Sequence, residues 1–131
     1  MLACGPGPTA AGKVSHAIID FSDFLPTLAE LGGDGHPVGR VFNGVSFADL
    51  LLGKSFRDRD WSHCYYNPRK NRWKEQWFAG TKEYKLYGDD TFCAVAAHTL
   101  QETVIEPKAL TEAQKAERDK LEDVIDEFTQ S

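Results

Sequence analysis

The sequence has few of the features that mark membrane, secreted or nucleic-acid-binding chains. No apolar run approaches the roughly 18 residues that a membrane-spanning helix needs. The first residues lack the positive segment and apolar run of a signal peptide. The 15 Lys and Arg residues are scattered among 20 Asp and Glu residues, so no basic patch for nucleic acid stands out. We therefore expect a cytoplasmic chain, as given, that binds neither membrane nor nucleic acid.

Cysteine is also scarce. Cys4, Cys64 and Cys93 lie too far apart for a C-x-x-C metal pair, and an odd number of cysteines cannot close a disulfide framework. No two of the four histidines sit at i, i+4 on a helix with a carboxylate partner. The aspartates of "GDD" at 88–90 lack the alternating oxygen ligands of a calcium loop and indicate a turn. We expect free thiols and no metal site in this chain.

What the sequence does contain suffices for one compact domain. With 131 residues, 41% of them hydrophobic, the chain has enough apolar material for a single core. No internal repeat or low-complexity tract is visible, and no linker divides the chain after residue 13. We predict one domain, 1–131, that begins with an extended arm at 1–20 and continues with a helical segment at 21–60.

The stretch "DFSDFLPTLAELGG" predicts the first helix. Ser22 or Asp23 can cap it, Pro26 suits its first turn, and Gly32 can supply the left-handed stop. Its apolar residues follow helical spacing and predict one face that packs against something larger. These residues are Phe24, Leu25, Leu28 and Leu31.

A second short helix is predicted in "SFADLLLG". Ser46 can cap it, with Asp49 three residues later, and Gly53 can stop it. Three consecutive leucines at 50–52 are more than one helical face can bury in a small domain. Some of the apolar surface of 21–60 therefore needs a partner.

From Trp61 onward the pattern changes to aromatic-rich runs that alternate with period two. Turn residues separate these runs at Asn67-Pro68, at Gly80 and at 88–90, and the connections are short enough for hairpins. We predict a four-stranded antiparallel sheet over 61–95. Its aromatic residues should give one face a large apolar area: Trp61, Tyr65, Trp73, Trp77, Tyr84, Tyr87 and Phe92.

The last predicted element is a helix over 110–129, reached through a connector. Thr111 and Gln114 form a capping box, and the second half of the helix carries an apolar stripe of Leu121, Val124, Ile125 and Phe128. The order of elements predicts an α+β fold. It consists of a four-stranded antiparallel sheet packed with a C-terminal helix and preceded by two short helices.

One basic and aromatic cluster, "HCYYNPRKNRW", is the candidate binding site. Arginine can bind a sulfate or carboxylate through two hydrogen bonds, and aromatic rings stack on sugars or aryl groups. The candidate substrate contacts are Tyr65, Tyr66, Arg69, Lys70 and Arg72. An exposed polar hairpin without a ligand is the alternative interpretation. No catalytic residue is identified, since "GVSFA" departs from the G-x-S-x-G elbow and "GPGPTAAGK" lacks phosphate-loop spacing.

Four stretches in order resemble the C-terminal subdomain of formylglycine-dependent sulfatases, arylsulfatase A-like members of the alkaline phosphatase superfamily. "GPGPTAAGKVSHAIIDFSDFLPTLAELGG" is similar to a family stretch that ends in D-x-x-P-T-L-x-x-L-A-G. "FNGVSFADLLLGK" resembles D-G-x-S-L-x-P-L-L-x-G, with Asn43 in place of Asp. "HCYYNPR", "FAGTKEYKLYGDDTFCAV" and "LTEAQKAERDKLEDVIDEF" resemble the strands and closing helix that follow.

The resemblance also indicates what this chain lacks. The family takes its nucleophile from a Cys or Ser in C/S-x-P-x-R, and none of the three cysteines stands in such a motif. Calcium and formylglycine would belong to a missing N-terminal catalytic domain, so no catalytic residue is carried over. The family's D-x-x-x-D-P-x-E pattern is replaced here by "AVAAHTLQE".

Two functions follow from the resemblance. The first is a C-terminal fragment of a sulfatase-like protein that is not catalytic alone, whose hairpin near Tyr65 to Arg72 shapes a substrate entrance. The second is a stand-alone binding or oligomerisation module derived from a sulfatase. In both, the partner we expect is a catalytic domain or a second copy of this chain, because the apolar surface of 21–60 must be covered.

Overall fold

The computed structural model describes residues 3, 12–33, 42–67, 75–97 and 99–129. The chain divides into two compact units, one at 1–59 and one at 60–131. No helix within these described ranges is long and apolar enough to cross a bilayer. The prediction that 1–131 forms one domain stays a prediction.

The first unit contains the two predicted short helices, α1 at Phe24–Leu31 and α2 at Ala48–Leu51. A 3-10 turn at Phe21–Asp23 precedes α1, and Asp20 caps that turn by accepting a hydrogen bond from the Ser22 amide at 2.9 Å. Asp23, one of the two predicted caps, occupies the N-cap position of α1, but its side chain makes no capping hydrogen bond to that helix. The left-handed residue after α1 is Gly33, with φ of 82°, one residue beyond the predicted Gly32.

A buried polar network holds the first unit together. The Asp23 carboxylate accepts the Val45 amide at 2.7 Å and pairs with the Arg59 guanidinium at 3.0 Å. The Thr27 hydroxyl donates to the Asp23 carbonyl at 2.6 Å and accepts the Phe47 amide at 3.0 Å. Asp23 and Thr27 are both buried, so these bonds satisfy groups that would otherwise be costly to remove from water. The network ties the segment at 20–27 to the segments at 45–47 and 59.

The second unit is a sheet with a helix. Its five strands pair in chain order, each antiparallel to the next. They are β1 at Ser62–Tyr66, β2 at Gln76–Gly80, β3 at Tyr84–Tyr87, β4 at Phe92–Val95 and β5 at Glu102–Val104. The α+β class and the antiparallel sheet are confirmed.

The prediction of four strands was wrong, because part of the predicted connector forms β5. A tight reversal follows β4: Ala96 donates its amide to the Gln101 carbonyl at 3.0 Å, and Leu100 donates to Ala96 at 2.9 Å. Leu100 adopts a left-handed backbone conformation with φ of 54°. This reversal returns the chain beside β4, where Thr103 pairs with Ala94. β5 has only three residues, all exposed, so it lacks the alternation of apolar and polar residues from which a strand can be predicted.

The C-terminal helix α3 spans Glu112–Thr129 and packs on β2 and β3, as predicted for 110–129. The predicted capping box is confirmed, since the Thr111 amide donates to Gln114 at 3.0 Å and the Gln114 amide donates to Thr111 at 3.3 Å. The core between helix and sheet is formed by the buried residues Ala79, Leu86, Phe92, Leu121, Val124 and Ile125.

The side chains of the sheet alternate between the face that packs on α3 and the opposite face. Ala79 on β2 and Leu86 on β3 are paired in the sheet and face α3. Successive side chains of a strand point to opposite faces, so the next pair, Phe78 and Tyr87, faces away from α3. Lys85 and its partner Cys93 share that opposite side. The aromatic residues of the sheet therefore divide between two faces, whereas the sequence predicted them on one.

Candidate functional site

The structure describes two of the five predicted site residues. Tyr65 and Tyr66 lie at the end of β1 and are 56% and 59% exposed. Arg69, Lys70 and Arg72 lie outside the described residues. The convergence of the two tyrosines with three basic side chains at this hairpin stays a prediction.

Tyr65 has a carboxylate as its partner. Its hydroxyl donates to Glu75 at 2.7 Å, and the Asn67 side-chain amide donates to the Tyr65 oxygen at 3.2 Å and to Glu75 at 3.3 Å. These bonds join the end of β1 to the residue just before β2. Because Glu75 is acidic, an anionic group placed at the Tyr65 hydroxyl would be repelled. Glu75 was absent from the predicted site.

A second polar cluster lies on the sheet face away from α3. Lys85 on β3 contacts the Glu102 carboxylate on β5 at 2.9 Å, and the Tyr87 hydroxyl donates to the other Glu102 oxygen at 2.7 Å. The Lys85 ammonium also lies 3.9 Å from the Phe78 ring centroid and 4.7 Å from the Tyr87 ring centroid. Hydrogen bonds and cation–π contacts thus hold one cation in place.

The contacts in this cluster set its charges. Hydrogen bonds from Lys85 and Tyr87 hold the pKa of Glu102 below its usual value. Burial alone would lower the pKa of Lys85, but its hydrogen bonds with Tyr87 and Glu102, together with the charge of Glu102, outweigh burial and raise it. Burial raises the pKa of Tyr87, and the hydrogen bond with Lys85 opposes that rise. At neutral pH the cluster therefore holds one carboxylate, one ammonium and one neutral phenol.

Cys93 lies on the same face, on the strand between Lys85 and Glu102. Burial, followed by the charge of Glu102, raises the pKa of its thiol. A buried, protonated thiol is a poor nucleophile, so Cys93 does not resemble an activated catalytic cysteine. Cys93 and Cys64 are free thiols, which confirms that prediction for both, and Cys4 lies outside the described residues.

A concavity of about 410 Å³ opens beside this cluster. The residues that line it include the acidic Glu75, Asp89 and Glu102 and the aromatic Trp77 and Tyr87, although Trp77 packs against the core on the α3 side of the sheet. In the described parts of the chain, no three His, Cys, Asp or Glu side chains come together as a metal site requires. The described lining of the concavity is thus rich in carboxylates that do not come together as a metal site.

Sequence reasoning missed the central members of this site. Lys85 and Tyr87 alternate around Leu86 in "YKLY", a pattern that places them together on the face opposite the core. That signal was present in the sequence. Glu102 could be found only after β5 was recognised, because its partner Lys85 lies 17 residues away across an intervening strand.

Comparison with known proteins gives one partial similarity. No protein-family model matches the chain. Arylsulfatase G of Rattus norvegicus is 37% identical over 54 residues, which cover 41% of this chain and 10% of that protein. The matched stretch thus spans about a tenth of the relative's length. This similarity indicates a sulfatase-related segment in the chain, in agreement with the family named by the sequence resemblance.

Proposed function

We propose that this chain is the C-terminal region of a sulfatase-like protein and acts together with a catalytic domain instead of catalysing alone. The similarity to arylsulfatase G supports the sulfatase origin. The observation that carries the rest is the exposed apolar face of α1. Formylglycine and calcium would be held by the catalytic domain, because the sequence has no C/S-x-P-x-R motif.

The α1 face exposes large apolar side chains in a continuous row. Leu25 and Leu28 are 61% and 64% exposed, and Leu31 is 44% exposed. Phe21 extends the row through a stacked contact with Phe24, whose ring meets Phe47 at its other end. Contiguous apolar patches of this kind mark interaction surfaces. We call Phe21, Leu25, Leu28 and Leu31 the α1 face.

The buried polar network of Asp23 and Thr27 holds α1 in position and leaves the α1 face exposed. Asp23 and Thr27 are fixed from inside by Val45, Phe47 and Arg59, so the helix does not depend on its outer face for its position. The outer leucines are then available for a partner at little structural cost. A catalytic domain of the sulfatase type is the occupant we propose, since the relative with the matching segment is much longer than that segment.

The hairpin at the end of β1 has the substrate-facing role in this proposal. Tyr65 and Tyr66 are exposed there, and Arg69, Lys70 and Arg72 follow in sequence. We propose that these side chains help shape the entrance for an anionic sulfate ester. The carboxylate of Glu75 at Tyr65 directs such an anion toward the basic residues instead.

A second candidate function rests on the same α1 face. A stand-alone module could cover the face with a second copy of itself, which would make a homo-oligomer. The α1 face serves both candidates, so only the identity of its occupant separates them.

Two readouts test the proposal. The coding DNA upstream of Met1 is sequenced for an in-frame C/S-x-P-x-R segment, and the purified chain is assayed with an aryl sulfate. The proposal expects the segment to be present and the isolated chain to give no turnover. A separate promoter with a stop codon in place of that segment favours the self-associating module, and turnover by the chain alone contradicts the proposal.

A further inference from the structure

Asn43 and Gly44 form an Asn-Gly pair in the segment between α1 and α2. The Asn43 side chain is exposed to solvent. Within the ranges that the structure describes, neither the Asn43 side chain nor the Gly44 amide makes a hydrogen bond. Neither group therefore has to give up a hydrogen bond to the described part of the protein before the two react with each other.

The packing around Gly44 explains why a glycine follows this asparagine. An added Cβ at Gly44 would collide with the backbone of Ser22, so the fold leaves no room for a larger residue. Glycine is also the residue whose amide nitrogen is least hindered, because it has no Cβ beside that nitrogen. The close approach to Ser22 thus keeps next to Asn43 the residue that hinders attack on its side chain least.

We propose that Asn43 is a site of spontaneous deamidation that weakens the first unit. The Gly44 amide nitrogen loses its proton to a base in the solvent and attacks the carbonyl carbon of the Asn43 side chain. A new C–N bond closes a succinimide ring, and the side-chain nitrogen takes up a proton and leaves as ammonia. Water then opens the ring at either carbonyl and gives an aspartyl or an isoaspartyl linkage. The reaction needs no oxidant, reductant or cofactor.

The isoaspartyl product should disturb the buried polar network. In that product the main chain runs through the side chain of residue 43, which inserts an extra carbon before Gly44. Gly44 lies against Ser22, and the next residue, Val45, donates its amide to the buried Asp23 carboxylate at 2.7 Å. An extra backbone carbon displaces both contacts, and a buried carboxylate that loses a donor is costly. The aspartyl product keeps the normal backbone and should keep both contacts.

This site does not depend on the proposed sulfatase role, because all the residues used belong to the unit at 1–59. The test incubates the full chain at pH 8 and follows each asparagine by peptide mass spectrometry. Asn67 is the internal control, since Pro68 follows it and has no amide proton with which to close the ring. A parallel incubation in urea shows how fast the unfolded chain reacts.

We expect Asn43 to lose its amide in the folded chain while Asn67 stays intact. An isoaspartyl methyltransferase with labelled S-adenosylmethionine should then label the incubated chain, and the label should lie at residue 43. This second readout separates the isoaspartyl product from the aspartyl product, which the enzyme does not methylate.

Asn43→Gln is the matched variant, because it keeps an exposed amide but must close a larger ring to react. After incubation, the unmodified chain should unfold at a lower temperature than the fresh chain, and Asn43→Gln should keep its starting midpoint. Asn43→Asp carries the charge of the product without the extra backbone carbon, so its midpoint should stay near that of the fresh chain. Asn43→Ser replaces Asn43→Gln if the latter does not fold.

Three results would each overturn the proposal. One is an Asn43 amide that survives in the folded chain over the period in which the chain in urea loses it, because the fold would then protect the site. Another is equal loss of the amide at Asn67. The third is an incubated Asn43→Gln chain that loses as much thermal stability as the incubated unmodified chain.

Discussion

Lys85 on β3 reaches across β4 and places its ammonium 2.9 Å from the Glu102 carboxylate on β5. This ion pair links two strands that are not neighbours, because β4 lies between them. β5 has only three residues, all of them exposed, so its backbone pairing has little burial to support it. The side-chain link helps to hold the last strand in the sheet.

Breaking this pair should destabilise the second unit in a pH-dependent way. Replacing Glu102 by Gln should cost about 1 kcal/mol of unfolding free energy at pH 7, because the Lys85 ammonium loses its charged partner. The pKa of Glu102 lies below its ordinary 4.5, so its contribution is present above that pH and is lost as pH falls through the lowered value. Urea unfolding at pH 7 and in acid measures the difference.

The stabilisation from the Lys85–Glu102 pair should also be lost at high pH, when Lys85 loses its proton. The pKa of Lys85 lies above its ordinary 10.5, so its contribution is present below that pH and is lost as pH rises through the raised value. Glu83→Gln is the control, since Glu83 is exposed and lies near the start of β3. A Glu102→Gln deficit that stays constant from pH 7 into acid would contradict the role given to this ion pair.

Gly44 should not tolerate a side chain. A Cβ at this position would collide with the backbone of Ser22, which leads into Asp23 of the buried network. Gly44→Ala should cost about 1–3 kcal/mol through displaced backbone. Gly80→Ala is the comparison, since its methyl group would meet its nearest neighbour at 3.4 Å. Thermal unfolding followed by circular dichroism should show a lower midpoint for the Gly44 variant; equal midpoints would refute the close approach.

Leu121 should be the most sensitive position of α3. It is fully buried against the sheet, with 0% of its surface exposed. Leu121→Ala should destabilise the second unit by about 2–5 kcal/mol, because it removes apolar contacts and leaves a cavity. Asp123→Ala, two residues later on an exposed position, should have little effect. Denaturant unfolding of both variants provides the measurement, and a small effect at Leu121 would place the core elsewhere.

The two described cysteines should differ in reactivity. Cys64 is exposed, whereas Cys93 is buried and has a raised thiol pKa. In a Cys4→Ser background, a thiol reagent at pH 8 should label Cys64 rapidly and Cys93 only after urea is added. Mass spectrometry of the labelled peptides identifies each site. Rapid labelling of Cys93 in the folded chain would show that β4 is not buried as described.

Local sequence signals sufficed for several elements. The capping box at Thr111 and Gln114 and the stripe of Leu121, Val124 and Ile125 depend on residues three or four apart, and α3 follows them. Gly53 adopts the left-handed conformation expected of a helix stop. Such features are fixed by neighbours along the chain, which is why one sequence reveals them.

Features that depend on distant partners were harder to predict. β5 forms because β4 offers an edge and because Lys85 reaches Glu102, and neither condition appears in the sequence around 102–104. Asp23 looks like a helix cap, yet its carboxylate binds Val45 and Arg59 far along the chain. The same holds for the candidate site: the sequence pattern identified Tyr65 but not Glu75, the carboxylate that accepts its hydrogen bond from ten residues away.

The most direct test of the account is capture of a sulfatase-type catalytic domain by this chain. The domain is expressed with its C/S-x-P-x-R segment, and its affinity is measured for the unmodified chain and for Leu28→Ser and Glu30→Ser. Leu28 lies on the α1 face, and Glu30 is exposed elsewhere on the same helix.

The account predicts a complex that Leu28→Ser weakens at least about tenfold, from the lost burial of one leucine, and that Glu30→Ser leaves intact. Light scattering of the isolated chain at the same concentrations accompanies the measurement. No capture of the domain, together with a dimer of the chain that Leu28→Ser dissolves, would contradict the account.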